Sequence, residues 1–131
     1  MEYNRASIEQ IVKRIVYAVN RGNYKIEQNE NRQKNVEFIA QYGISKKQIE
    51  SILTTLKVED YSEYVQNVKP GFEDEKLHIF GPVVKLISEG EEIEKDVTIY
   101  LKTNIIERAI DDFAVIVSFH EAQQKIKYAF I

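Results

Sequence analysis

Four side chains in the last third of the chain have the types and spacing for acid–base chemistry on a phosphate: Tyr100 with Lys102, and Ser118 with His120. A separation of two residues puts both members of a pair on one face when the backbone is extended. An imidazole gives or takes a proton near neutrality, an ammonium neutralises a phosphate, and a phenol stacks on a base or relays a proton. Those are the tasks of RNA cleavage: removing the 2′-hydroxyl proton, stabilising charge on the phosphate and protonating the departing 5′-oxygen. No cofactor or metal is called for. Tyr100, Lys102 and His120 are therefore the candidate catalytic residues, His120 as general acid or base, Lys102 as phosphate clamp and Tyr100 as stacking or relay group. Ser118, His78 and Lys85 are candidate substrate contacts.

The elements that must position these groups are two alternating runs, residues 97–105 and 113–120. Val97, Ile99, Leu101 and Ile105 share one parity in the first, and Phe113, Val115, Val117 and Phe119 in the second, the pattern of strands with one face toward a core. Paired as a hairpin, they would display Thr98, Tyr100, Lys102, Ser118 and His120 on the opposite face. Ile106, Ala114 and Ile116 share that polar parity, so part of the face is expected to be covered.

Composition sets the outer bounds. At 131 residues, the chain fits a single domain with one core. It has no cysteine and two histidines, which removes thiolate chemistry and a disulfide framework and leaves little for a transition metal. No apolar run approaches a membrane span and the start lacks the apolar segment of a secretory signal, so a cytoplasmic protein is expected. The net charge of −3, from 18 basic and 21 acidic residues, gives no long-range attraction for nucleic acid. Residues 1–35, however, carry seven basic against four acidic side chains, enough for a local basic patch.

Earlier in the chain the period is helical. Ser7 and Gln10 read as a capping box ahead of Ile8, Ile11, Val12, Ile15, Val16 and Val19, with Gly22 at the stop. Residues 23–35 read as a polar loop. Residues 34–42 predict a second helix burying Val36, Ile39 and Ala40, and Ser45 with Gln48 opens a third carrying Ile49, Ile52, Leu53 and Leu56. The short Gly43-Ile44 link predicts that these two helices pack as a hairpin. Residues 77–87 predict a strand broken at Gly81-Pro82, and residues 125–131 a short last strand. The expectation is an α+β domain: residues 1–57 mainly helical and packed on one face of a small antiparallel sheet formed by the C-terminal half, with residues 64–131 mainly sheet.

Asp60-Tyr61 within residues 56–61, Phe80-Gly81, Ile99-Tyr100-Leu101-Lys102 and Val117-Ser118-Phe119-His120-Glu121-Ala122 together resemble the ordered motifs of the MqsR-like toxin family, over roughly residues 35–122. These are small bacterial toxins of toxin–antitoxin modules with a RelE-like fold and messenger RNA cleaving activity. The resemblance implies a RelE-like domain, an RNA substrate, a cognate antitoxin as partner, and Tyr100 in the place of the family's active-site tyrosine. His120 stands where the best-studied branch has a lysine, Glu63 where it has another, and the family's glutamine has no counterpart near residues 78–81. The acidic net charge also departs from the family's basic character.

The same residue types have ordinary duties as well. A strand tyrosine is commonly a cross-strand packing partner, and a strand lysine a solvated guard of an edge. A non-enzymatic module that uses the exposed sheet face for a protein partner is the alternative. It differs from the enzyme in whether Tyr100, Lys102 and His120 converge.

Overall fold

A computed structural model describes residues 3–28 and 32–130. Met1, Glu2, Asn29, Glu30, Asn31 and Ile131 lie outside the described residues.

The first helix, α1 (Arg5–Asn20), starts one turn earlier than the Ser7 box predicts. Asn4 is the cap, its side-chain oxygen accepting from the Ser7 amide at 2.8 Å, while Ser7 returns its hydroxyl to the Asn4 carbonyl. An asparagine three residues ahead of Ser7 does what the serine was expected to do. Ile8, Ile11, Val12, Ile15, Ala18 and Val19 form the buried stripe, each large aliphatic contributing about 1.5–3 kcal/mol on burial. Gly22, at φ 76°, reverses the chain in a left-handed conformation open to glycine.

The polar loop expected next contains a short strand, β1 (Tyr24–Ile26). Two helices follow, α2 (Gln33–Gln41) and α3 (Lys46–Thr54), the latter closed by the expected reciprocal Ser45–Gln48 box. Helix α2 buries Asn35 and Phe38 instead of Val36 and Ala40. The two helices serve different partners: α2 packs on the sheet and α3 on α1. A connection that short lets them diverge as readily as pair.

The sheet strands are β2 (Tyr61–Gln66), β3 (Lys76–Phe80), β4 (Val83–Leu86), β5 (Lys95–Glu107) and β6 (Asp112–Glu121). Their order is β1-β6-β5-β3-β2, with β4 beside the first half of β5. As expected, the strand is interrupted at Gly81-Pro82: before the break β3 lies between β2 and β5, after it β4 pairs with β5 alone, and the Pro82 carbonyl still accepts from the Ile99 amide at 2.9 Å. The α+β class holds, with helices N-terminal and most strands C-terminal. The sheet is mixed, not wholly antiparallel, because β1 runs parallel to β6; a strand so short and polar gives no period-2 signal. Residues 125–130 form no strand. That tail crosses Gly81 and Tyr61, held by Tyr128 O–H to the Gly81 carbonyl (2.6 Å) and the Ala129 amide to the Tyr61 carbonyl.

The β5–β6 hairpin departs from simple alternation at one residue. Lys102 faces Ser118 but Thr103 faces Ile116, leaving Val117 as the extra residue of a β-bulge. The bulge inverts parity. Ala114 and Ile116 join Phe119, Ile99 and Leu101 in the helix-covered core, while Phe113, Val115 and Val117 line the other face with Asn104 and Ile106. Ala114 and Ile116, the two β6 residues on the polar parity, are core residues, and the expected core parity of residues 113–117 is reversed.

Candidate active site

On the face away from the helices, Tyr100 and His120 sit directly opposite each other on β5 and β6, and Lys102 sits opposite Ser118. The Tyr100 and His120 rings stack with centroids 5.5 Å apart and planes at 23°. The Lys102 ammonium lies over the Tyr100 ring, 5.9 Å from its centroid. All three are half-buried, so they face solvent without being free to wander. Ser118 is buried at their edge.

The local fold explains this convergence. Past the bulge, the Val117 carbonyl and the Phe119 amide turn toward the edge where β1 has already ended. Asn35 of α2 replaces the missing strand: its Nδ2 donates to the Val117 carbonyl at 3.0 Å and to the Glu27 carbonyl at 2.9 Å, and its Oδ1 accepts from the Phe119 amide at 2.9 Å. One buried side chain thus satisfies three backbone groups. It also fixes the register that keeps Ser118 and His120 on the side of Tyr100 and Lys102.

The electrostatics follow from what surrounds the group. His120 Nδ1 lies 3.1 Å from the Glu121 carbonyl oxygen. A carbonyl can only accept, so in the neutral ring Nδ1 carries the proton and Nε2 the lone pair. Lys102 forms no ion pair with a described residue; burial, and then Arg32, hold its ammonium below the ordinary lysine value. Burial, and then the Glu63 carboxylate, push the Tyr100 phenol up, so it remains a proton donor at neutral pH.

Two depressions meet at His120. One, of about 430 Å³, is lined by Arg32, Gln33, Lys34, Lys102 and Ser118; the other, of about 490 Å³, by Glu63, Ile79, Tyr100, Lys125 and Lys127. Four cations from distant parts of the chain, Arg32 and Lys34 at the start of α2 and Lys125 and Lys127 in the tail, therefore flank the tyrosine–histidine stack. Sequence reasoning singled out none of them; the basic excess of residues 1–35 was the one signal for Arg32 and Lys34. Lys125 and Lys127 gave none, since the tail's path over Gly81 brings them here.

Two expected contacts do not join the group. His78 of β3 faces the helix side, its ring 5.0 Å from Tyr3 and its Nδ1 3.4 Å from the Tyr61 hydroxyl. It shares a face with Phe80, since β3 alternates while Ile79 points to the open side. Burial, and then Lys76, lower its pKa to about 4, which marks a neutral packing histidine. Lys85 of β4 faces Asp96 in the register and bonds it at 2.8 Å. Four residues along β5 from Tyr100, that is roughly 13 Å, it belongs to another part of the surface.

No family model, no curated protein and no solved structure matches the chain. Among the described residues, no helix is long and apolar enough to cross a membrane.

Proposed function

We propose that this protein is a metal-independent endoribonuclease acting on single-stranded messenger RNA, the toxin of a bacterial toxin–antitoxin pair. The observation that carries the reading is the stack of Tyr100 on His120 with the Lys102 ammonium beside it, on an open face rimmed by Arg32, Lys34, Lys125 and Lys127. Its motifs resemble those of the MqsR-like family, and that resemblance supplies the toxin context and the antitoxin as partner.

In this reading, His120 Nε2 takes the 2′-hydroxyl proton as the 2′-oxygen bonds to phosphorus. Lys102 neutralises the charge that gathers on the phosphate oxygens. The bond from phosphorus to the 5′-oxygen breaks, and the Tyr100 hydroxyl gives that oxygen its proton. Tyr100 regains a proton from the His120 imidazolium stacked on it, directly or through water, which returns both groups to their starting forms. The products are a 2′,3′-cyclic phosphate and a 5′-hydroxyl. Glu63, in the place of a family lysine, adds to burial in raising the pKa of the phenol.

Induced expression in a bacterium is expected to arrest growth, and His120→Ala to relieve the arrest. Purified protein with a chelator present should cleave a mixed single-stranded RNA, and the substitution should slow it by about 10²–10⁴-fold. Normal growth together with intact RNA would overturn the reading and leave the open face to a protein partner.

A further inference from the structure

The open sheet face continues beyond the tyrosine–histidine stack into a second groove. It holds about 740 Å³ and lies over the far half of β5 and β6, between the hairpin end and the loop that follows β2. Its floor is Leu77, Val115 and Val117, and its walls carry Phe72 and Phe113. Lys25, Arg32 and Lys69 stand on its rim. Phe72 is 43% exposed, with the Lys69 ammonium 5.0 Å from its ring centroid; the Arg108 guanidinium lies 4.8 Å from Phe113. Asn104 and Glu75 add polar groups, the Glu75 carboxylate accepting from the Asn104 and Asn67 amides at 2.9 and 3.3 Å.

We infer that this groove holds the single-stranded RNA flanking the cleaved phosphate, its bases on Phe72 and the apolar floor and its phosphates on Lys69, Lys25 and Arg32. The inference rests on the ribonuclease reading for the cleaved phosphate but has its own observations. An apolar, aromatic floor beneath a cationic rim is what a strand of stacked bases and outward phosphates fits. Arg32 lines both this groove and the depression at Lys102 and His120, so one strand can pass from one to the other without leaving the surface. From Lys102 to Ile106 along β5 is roughly 13 Å, a distance that a few nucleotides of extended chain cover. The two carboxylates of the lining already have partners, Glu27 pairing with Lys25 at 3.9 Å and Glu75 accepting from the Asn104 and Asn67 amides. The carboxylate and amides accept and donate hydrogen bonds of the kind a base edge offers.

The test uses fluorescent 2′-O-methyl oligonucleotides, which bind without being cleaved, with the whole protein and its Phe72→Ala and Lys69→Ala variants. The hexanucleotide is expected to bind more tightly than the dinucleotide. Phe72→Ala should weaken the hexanucleotide about tenfold and leave the dinucleotide unchanged, and Lys69→Ala should reduce the salt slope by about 0.7. Circular dichroism identifies a variant that has failed to fold, in which case Phe72→Leu, which keeps an apolar group but loses the ring, replaces it. Equal hexanucleotide affinity in all folded variants overturns the groove, and so does capture of an acidic peptide in its place. Cleavage of unmodified RNA is scored separately. Groove-dependent binding without cleavage defeats the nuclease reading alone, and cleavage without groove-dependent binding defeats this inference alone.

Discussion

At the scale of single residues, the site divides labour by environment. The Tyr100 phenol is pushed up from its ordinary value by burial and then by Glu63, while His120 has Nδ1 occupied by a carbonyl and Nε2 left as the acceptor. Those two states suit a donor beside a base. Tyr100→Phe preserves the stacked ring and deletes only the hydroxyl, so it separates stacking from proton transfer. The expected outcome is a loss of about 10²–10⁴-fold in kcat with KM for RNA nearly unchanged, read by steady-state cleavage of a short substrate. If KM rises and kcat holds, the tyrosine is a stacking platform and another group protonates the leaving oxygen. Lys102 and Lys85 show how context sets the meaning of a strand lysine. The first, unpaired among described residues, is available to a phosphate; the second already has Asp96.

At the scale of elements, the bulge at Val117 and its clamp decide the geometry. A bulge costs ladder hydrogen bonds unless something else satisfies the exposed groups, and here Asn35 does so from a helix 82 residues away from Val117 in sequence. Asn35→Ala strands the Val117 carbonyl, the Glu27 carbonyl and the Phe119 amide at a buried site. It is expected to cost about 3 kcal/mol of stability, measured as a lower denaturant midpoint at unchanged m-value. Cleavage by the fraction that stays folded should fall too, because Ser118 and His120 lose the register that sets them opposite Lys102 and Tyr100. A variant with native stability would show that water satisfies these groups and that the clamp is dispensable. Gly81 plays a smaller part of the same kind. A Cβ there would meet Ile126 at 2.9 Å, so glycine lets the tail lie close enough to bring Lys125 and Lys127 to the site.

For the whole molecule, the two faces of the sheet have opposite characters. The helix side is sealed by one core that runs from Ile8 and Ile15 through Phe38 and Leu53 to Phe80 and Phe119. The open side gathers cations on a chain whose net charge is −3, so a local field replaces a global one. His78 lies on the sealed side and ties stability to pH. Its folded pKa of about 4 lies below the unfolded value of about 6.5, so between those values the unfolded chain binds the extra proton. The contribution is complete above pH 6.5 and is lost as pH falls to about 4, on the order of 3 kcal/mol in all. Denaturant midpoints for wild type are expected to fall across that window and those for His78→Gln to fall less. Parallel slopes would mean that the imidazole stays solvated.

Much of this architecture is written in local signals. The α1 and α3 stripes, the Ser45–Gln48 box, the break at Gly81-Pro82 and the β5–β6 hairpin all arise from residues close in sequence, because helical and extended periodicity are properties of a short segment. The pairing of Tyr100 and Lys102 with His120 was legible for the same reason: every one of the three lies within the hairpin, beyond or before its bulge. The bulge was not, although Ala114 and Ile116 on the wrong parity were its trace, since an extra residue exists only relative to a partner strand. Nor could a short run of mixed polarity announce β1, or the tail its path across Gly81. Asn35 reads as one polar residue among several in sequence, and burial against the unpaired edge of β6 makes it a clamp. The amino-acid order thus fixes which elements form and which groups share a strand face. Long-range packing settles register, the side on which His78 lies and the cations that rim the site, because each of those depends on contacts between segments that no local pattern encodes.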